Sequence, residues 1–276
     1  MAFTGASILI LIAGMIAGYL LGSVNFAIII TRLCGKGDIR KYGSGNAGMT
    51  NVLRTVGKGA AALTLLGDFC KGILSVLFVR LLLMLFVGGD HIVCDYLVAF
   101  SALLGHVFPL YYGFKGGKGI LVSAGCLLIL SPWSLLLCLI VFLILAASTR
   151  YISLGSLGAA VMAPLGNLLV SYLKYGRISW LEVVLMLPIS LLIIYLHHQN
   201  ISRLIQDLFR NHMDPDFHPD VDWRDVILRD YTWNQQYFLS ASGGGEVARY
   251  YICLLYTSFV IILDIELIIE RNGNCH

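Results

Sequence analysis

Long apolar runs are the feature that most limits what this chain can fold into. Several are close to or above the roughly 20 residues that a helix needs to cross a bilayer. The runs cover residues 8–31, 60–87, 93–112, 120–148, 153–173 and 179–196. Only 13% of the 276 residues are charged, about half the share usual in soluble domains. The sequence therefore predicts a polytopic all-α membrane protein, because lipid cannot satisfy an open backbone.

A proline inside the fourth run decides how many passes we expect. Ser131-Pro132 lies near the middle of residues 120–148, and a proline at such a position breaks or turns a helix. The break predicts two shorter helices, 120–130 and 133–148. The expected fold class is then an all-α helical bundle with about seven transmembrane helices.

The distribution of charge predicts the orientation. Six basic residues and one acid separate the first two apolar runs, and Lys115 and Lys118 lie in a later polar loop. The positive-inside rule puts both loops in the cytoplasm and the N-terminus outside. With seven passes the C-terminus is cytoplasmic, and every segment rich in glycine and basic residues reaches one face. Lys174 and Arg177 would then lie outside, which counts against this arrangement.

The chain changes character after about Arg203. Eleven of the sixteen carboxylates lie beyond residue 200. We therefore expect a membrane-embedded domain at 1–206 and a tail at 207–276 that has no assigned role and is partly disordered. The segment 212–225, rich in Asp and His, is expected to be a solvated acidic stretch rather than a metal site. Residues 250–269 are mildly apolar but carry two acids, which disfavours an eighth span.

The first segment that could carry chemistry reads Gly-Ser-Gly-Asn-Ala-Gly-Met-Thr-Asn over 43–51 and is followed by Arg54. Its glycines permit close approach to the backbone, and Arg54 can bind a phosphate through two hydrogen bonds. Ser44 or Asn46 could instead cap a helix that starts near Asn51. The density of donors, Thr50 included, favours a binding site.

The second segment is Gly105–Gly119, which reads GHVFPLYYGFKGGKG. Glycines let several N–H groups converge on one concavity, and lysines add positive charge, as a phosphate requires. A basic turn that holds lipid headgroups is the alternative. Lys118, between two glycines, is the better phosphate ligand of the two lysines. A single histidine near an apolar face, such as His106, is more often structural than catalytic.

Two further polar segments follow. Ser153 either caps the next helix or contacts substrate. His197 and Asn200 lie three residues apart, so they share a helical face. They could reach a bound hydroxyl or phosphate, or form a polar cluster at a helix end. Within the second run Asp68 and Lys71, also three apart, predict a salt bridge, whereas Arg80 has no obvious local partner.

These four segments, in this order, resemble the bacterial acyl-phosphate:glycerol-3-phosphate acyltransferases over roughly residues 22–204. The motifs that carry the resemblance are G-S-G-N-x-G-x-T-N, G-H-x-F-P-x-x-x-G-F-x-G-G-K-G and a T-x-Y-x-S-L-G-S-like segment. The resemblance implies a seven-helix protein of the bacterial plasma membrane with a cytoplasmic site. It implies acyl transfer from acyl-phosphate to the 1-hydroxyl of glycerol 3-phosphate, which gives lysophosphatidate in phospholipid synthesis. Ala47 stands where the family often has proline, and the tail has no recognised counterpart.

The resemblance also assigns roles to residues of this sequence. The catalytic residues would be Ser44, Arg54, Lys118, His197 and Asn200. The substrate- or phosphate-binding residues would be Asn46, Thr50, Asn51, His106, Lys115, Gly116, Gly117, Gly119 and Ser153. No cofactor, metal or nucleic acid is expected; the partners are acyl-phosphate, glycerol 3-phosphate and the bilayer.

The expected chemistry has no covalent enzyme intermediate, because an acyl-phosphate is a mixed anhydride with a good leaving group. Carboxylates are scarce near the proposed inner face, so we expect the proton to pass to a substrate phosphate oxygen rather than to His106 or His197. The alternative function is a carrier or flippase for a phosphorylated metabolite. Such proteins tend to show paired halves, and no two halves of this sequence match.

Overall fold

The computed structural model describes residues 5–88 and 91–213 together with three strands between residues 237 and 268. The chain divides into two compact units, Met1–Asp207 and Leu208–His276. The helices are α1 (Gly5–Ser23), α2 (Phe26–Leu33), α3 (Met49–Thr55), α4 (Lys58–Phe86), α5 (Ile92–Val107), α6 (Ile120–Leu130), α7 (Pro132–Thr149), α8 (Ile152–Tyr175), α9 (Trp180–Leu196) and α10 (His198–Met213).

Among the described residues, five helical stretches are long and apolar enough to cross a membrane. They are Ile8–Leu33, Lys58–Phe86, Ile92–Tyr112, Pro132–Thr149 and Ile152–Tyr175. The α9–α10 pair, bent by 50°, is a sixth if it counts as one span, and α6 is a shorter apolar helix. The predicted class, an all-α helical membrane bundle, is confirmed. The count of seven passes and the orientation of the termini stay predictions.

The predicted break in the fourth apolar run is confirmed. Helix α6 ends at Leu130, and Pro132 is the first residue of α7, a position where proline has no N–H to lose. A chain of hydrogen bonds anchors the turn. The hydroxyls of Ser131 and Ser134 are 2.7 Å apart, and Ser134 donates to Asn167 Oδ1 at 2.7 Å. Asn167 Nδ2 donates to Tyr96 Oη at 2.7 Å, so α5, α7 and α8 meet at one buried network.

Replacing Asn167 with leucine is expected to lower the free energy of unfolding by about 1–2 kcal/mol. The hydroxyls of Ser134 and Tyr96 would lose their partner inside the bundle, where Asn167 is only 1% exposed. Thermal unfolding of the purified protein in detergent measures the change. The control is Leu165→Ala on the same helix, at a side chain that is 51% exposed, and it should leave stability nearly unchanged. Equal melting temperatures for the two variants would contradict a stabilising network.

Ion pairs lie within the described helices. The predicted pair is confirmed: Lys71 Nζ lies 2.8 Å from Asp68 Oδ1, and both side chains are 2% exposed. Arg80, for which the sequence offered no partner, donates from Nε to Asp95 Oδ2 at 2.8 Å. Its Nη1 also donates to the Ile129 carbonyl at 3.1 Å. Arg80 therefore ties α4 to α5 and α6.

Small residues bring α6 against α4. A Cβ placed at Gly72 would collide with the Val122 carbonyl, and one at Gly125 would collide with the Phe69 carbonyl. Backbones of membrane helices approach this closely only where side chains are small. The contact fixes the start of α6 beside the part of α4 that carries Lys71.

The second unit contains an antiparallel sheet in the order β1-β2-β3: β1 is Tyr237–Gly244, β2 is Arg249–Thr257 and β3 is Val260–Ile268. Tyr237 pairs with Tyr256, and Arg249 pairs with Ile268. The all-α prediction therefore holds for the membrane unit, and the tail adds strands that it did not foresee. Their β-branched and aromatic residues favour strands. Most of the segment 212–225 lies outside the described residues.

Candidate functional site

A cavity of about 520 Å³ lies within the first unit where several helices begin or end. Its walls come from the loop before α3, the loop before α6, the start of α8 and the α9–α10 junction. All five predicted catalytic residues line it: Ser44, Arg54, Lys118, His197 and Asn200. Six predicted binding residues do so too: Asn46, Thr50, Asn51, His106, Gly119 and Ser153. Segments that are far apart in sequence therefore share one concave site.

The cavity is strongly positive. Four cations line it, namely Arg54, Lys118, Arg150 and Arg203. Among the described lining residues the one carboxylate is Asp68, which is already paired with Lys71. A concave surface with this balance concentrates anions. The sequence analysis gave no role to Arg150, which lies within the third motif of the resemblance, or to Arg203, which lies three residues after Asn200.

Asn51 holds the first loop in shape. Its Nδ2 donates to the carbonyls of Tyr42 at 2.9 Å and Asn46 at 3.0 Å, and its Oδ1 accepts the N–H of Ser44 at 3.1 Å. Asn51 is 2% exposed, so its bonds lie mainly within the loop. Helix α3 has Gly48 as its N-cap, and the alternative in which Ser44 or Asn46 caps it is wrong.

Three residues of the second loop do not reach the cavity. The N–H of Gly116 donates to the Val107 carbonyl at 3.0 Å, and that of Gly117 donates to the His106 carbonyl at 3.2 Å. Lys115 is exposed, and none of these three residues is among those that line the cavity. The two glycine amides pair with the end of α5 in this structure, and the assignment of Lys115, Gly116 and Gly117 to phosphate binding stays a prediction. Lys118 and Gly119 do reach the cavity.

Arg40 joins the first two loops. Its Nη2 lies 2.7 Å from Asp38 Oδ2, and its Nη1 donates to the carbonyls of Tyr112 at 2.6 Å and Lys115 at 3.0 Å. The hydrogen bond from Arg40 lowers the pKa of Asp38, so the pair stays ionised near neutral pH. The sequence analysis used Arg40 only as a topological charge, because the carbonyls that it binds lie more than 70 residues away.

The remaining predicted residues come from α8 and the α9–α10 junction. Ser153 lies in the first turn of α8, whose N-cap is Tyr151, so the capping alternative for Ser153 is wrong. His197 is the C-cap of α9, and its Nδ1 donates to the Ile193 carbonyl at 2.8 Å. In a neutral ring this leaves the lone pair on Nε2. The N–H of Asn200 bonds to the His197 carbonyl at 2.9 Å.

The helical bundle and its cationic cavity together define an integral membrane protein with a concave site that favours anions. A sequence profile described as "Glycerol-3-phosphate acyltransferase" matches residues 12–207. The chain belongs to this family and is an enzyme of the acyltransferase class. The resemblance inferred from the motifs is thereby confirmed.

Relatives and solved structures agree. Glycerol-3-phosphate acyltransferase of Neisseria meningitidis is 42% identical over 195 residues, which cover 71% of this chain and 94% of the relative. That of Bordetella pertussis is 42% identical over 210 residues, covering 75% and 94%. The crystal structure of PlsY, an integral membrane glycerol 3-phosphate acyltransferase, in its glycerol 3-phosphate form has a TM-score of 0.62 at 31% identity, covering 79% of this chain and 99% of that one. Its lysophosphatidic acid form has a TM-score of 0.60 at 34% identity, covering 71% and 92%. This chain is a multi-pass bacterial membrane protein.

Proposed function

We propose that this enzyme transfers a fatty acyl group from acyl-phosphate to the 1-hydroxyl of glycerol 3-phosphate, giving lysophosphatidate and phosphate. The observation that carries the proposal is the cavity with four cations, enough to hold two phosphate groups side by side. The ligand forms named for the PlsY crystal structures support the acceptor and the product. We assign the activity to residues 1–206, because the family match ends at residue 207.

The proposed step needs positioning and charge stabilisation more than a protein nucleophile. The 1-hydroxyl oxygen attacks the acyl carbon, the bond from that carbon to the phosphate oxygen breaks, and phosphate leaves. Arg54 and Lys118 would hold the phosphates, with Ser44 and Asn200 as neutral donors. Direct attack, without a protein nucleophile, is supported by the hydrogen bonds of His91, His106, His197 and His198. These bonds go to backbone carbonyls or to Lys71, and not to a serine or cysteine that a histidine could activate.

The proposal predicts that neither cavity histidine is an obligatory base. His106→Ala and His197→Ala should each keep kcat within about tenfold at saturating substrate, because the proton passes to a substrate phosphate oxygen. Both variants should instead raise KM, since each ring lines the binding cavity. Steady-state kinetics with both substrates varied measures the two constants. Complete loss of kcat in a folded variant would contradict the proposed route of the proton.

We also propose that the cavity opens to the cytoplasm, with the N-terminus outside and the C-terminus inside. Basic residues concentrate in the loops that build the cavity, as the positive-inside rule requires of cytoplasmic loops. Cys34 lies exposed just after α2. In a variant that keeps only this cysteine, a membrane-impermeant maleimide should label inverted vesicles but not spheroplasts. Labelling in spheroplasts would contradict the orientation.

One assay tests the reaction itself. Purified protein is given acyl-phosphate and labelled glycerol 3-phosphate, and labelled lysophosphatidate is expected. Activity with acyl-CoA or acyl carrier protein but not with acyl-phosphate would overturn the proposed donor. Uptake of glycerol 3-phosphate into proteoliposomes without acylation would favour a carrier.

A further inference from the structure

Lys71 has an acceptor for each of its ammonium hydrogens. Its Nζ lies 2.6 Å from the Val24 carbonyl, 2.8 Å from Asp68 Oδ1 and 2.9 Å from His106 Nδ1. An ammonium group has three donors and no acceptor; Lys71 hydrogen-bonds to the Val24 carbonyl and His106 Nδ1, and it faces the Asp68 carboxylate as an ion pair. The carboxylate of Asp68 lies against the Lys71 amine and offsets its charge in this buried position.

These contacts fix the state of His106. A ring nitrogen that accepts a hydrogen bond from an ammonium group must carry the lone pair, so Nδ1 is bare and the ring proton lies on Nε2. A second proton would place an imidazolium against the Lys71 amine at 2.9 Å, and the Asp68 carboxylate, 3.8 Å from Nδ1, is already paired with that amine. His106 is therefore a neutral donor through Nε2, and it has no free nitrogen with which to act as a base.

The Nε2 side of His106 lies against both loops of the site. A Cβ added to Gly117 would collide with Nε2 and would lie 2.6 Å from the Ala47 carbonyl. His106 also lines the cavity although the residue is only 3% exposed. The absence of a side chain at Gly117 makes room for Nε2, next to the residues that line the cavity.

We propose that Lys71 is a positioning residue for acyl transfer, which fixes His106 as a neutral Nε2 donor to a phosphate oxygen of a substrate. This inference rests on the proposed function and assigns Lys71 and Asp68 a part in it. Lys71 contacts one ring nitrogen of His106 and thereby orients the other. A hydrogen bond to the second nitrogen of a metal-ligating histidine orients that ring in the same way.

Nitrogen-15 NMR of the full chain, labelled in histidine, reads the state of the ring directly. His106→Gln identifies the His106 signals. The native protein is expected to show bare Nδ1 and protonated Nε2, with no imidazolium between about pH 6 and 8. In Lys71→Met the ring should titrate or mix tautomers in that range, because its donor is gone. An Nδ1–H ring or an imidazolium in the native protein would overturn the inference and leave the proposed function untouched.

Kinetics test whether the fixed donor serves catalysis. Lys71→Met is expected to raise the KM of one substrate about 10–100-fold, and His106→Ala should raise the KM of the same substrate. Both substitutions remove the same interaction, so the KM of the double variant should be no higher than that of His106→Ala alone. Additive losses, or an unchanged KM in Lys71→Met, would overturn the positioning role.

Arg80→Met is the matched control. Arg80 also lies on α4 in an ion pair within the helices, but it is not among the residues that line the cavity. Its loss should lower stability without changing the His106 signals or either KM. If Lys71→Met does not fold, the variant Asp68→Asn/Lys71→Met removes both charges together and is measured in its place. If the native protein shows the expected His106 signals but has no acyltransferase activity, the proposed function is overturned. The role of Lys71 in acyl transfer is then overturned with it.

Discussion

Replacing Lys118 with methionine is expected to lower kcat/KM for acyl transfer by about 10²–10³-fold. Lys118 lines the cavity with Arg54 and Arg203, where a fixed cation can stabilise phosphate charge. Methionine keeps most of the alkyl stem and removes only the charge. Steady-state kinetics with acyl-phosphate and glycerol 3-phosphate measures the loss, and Lys118→Arg should restore part of it.

The neighbouring lysine provides the control. Lys115 lies in the same loop but is exposed and is absent from the residues that line the cavity. Lys115→Met should therefore change kcat/KM less than about threefold. Equal losses in the two variants would show that the charge of the loop matters rather than the position of Lys118.

The pH dependence of kcat/KM should also show the contribution of the Lys118 charge. Burial, and then the nearby charge of Arg203, lower the pKa of Lys118. Because the protonated amine binds phosphate, kcat/KM should fall as pH rises through this lowered pKa, earlier than for an ordinary lysine. Lys118→Arg should move the alkaline fall to higher pH, since arginine does not deprotonate in proteins.

Gly116→Ala is expected to lower kcat/KM by at least about 10²-fold. The new Cβ would collide with the His106 carbonyl and would lie 2.7 Å from Pro109 Cδ and 2.9 Å from the Val107 carbonyl. Two of these are backbone atoms, so the loop must move, and Lys118 moves with it. Kinetics and thermal unfolding of the same sample separate displacement of the loop from loss of the fold.

Gly59→Ala is the control for that substitution. Gly59 lies in the first turn of α4, with nothing within 4 Å of an added Cβ. Alanine there should keep activity and stabilise the helix by about 0.5–1 kcal/mol. An active Gly116→Ala protein would contradict the close packing of this loop against the end of α5.

The sequence allowed prediction wherever a local pattern carried the information. Pro132 predicted the α6–α7 break, and the spacing of Asp68 and Lys71 predicted their pair, both of which the structure confirms. The four polar segments were found because each is unusually dense in glycine, hydroxyl and basic residues. Their convergence on one cavity required the fold.

Other features depend on partners that are distant in sequence. Asp95 is 15 residues from Arg80, and the carbonyls that Arg40 binds are 72 and 75 residues away. The same glycines that suit a phosphate loop also suit close packing, and the hydrogen bond from Gly116 to the Val107 carbonyl is visible only in the structure. The strands of the tail were not predicted, because the mildly apolar residues 250–269 were considered only as a possible membrane span.

The shortness of α6 has a consequence for the surrounding lipid. Its 11 residues make about 17 Å of helix, roughly half the thickness of a bilayer's hydrocarbon core. Because Ser131 and Ser134 meet Asn167 at the α6–α7 turn, the polar groups there are satisfied by protein. If α6 is a pass of its own, its length is matched only by a locally thinner bilayer or by protein around the helix. The fit between this fold and the host membrane therefore depends on the length of the lipid acyl chains.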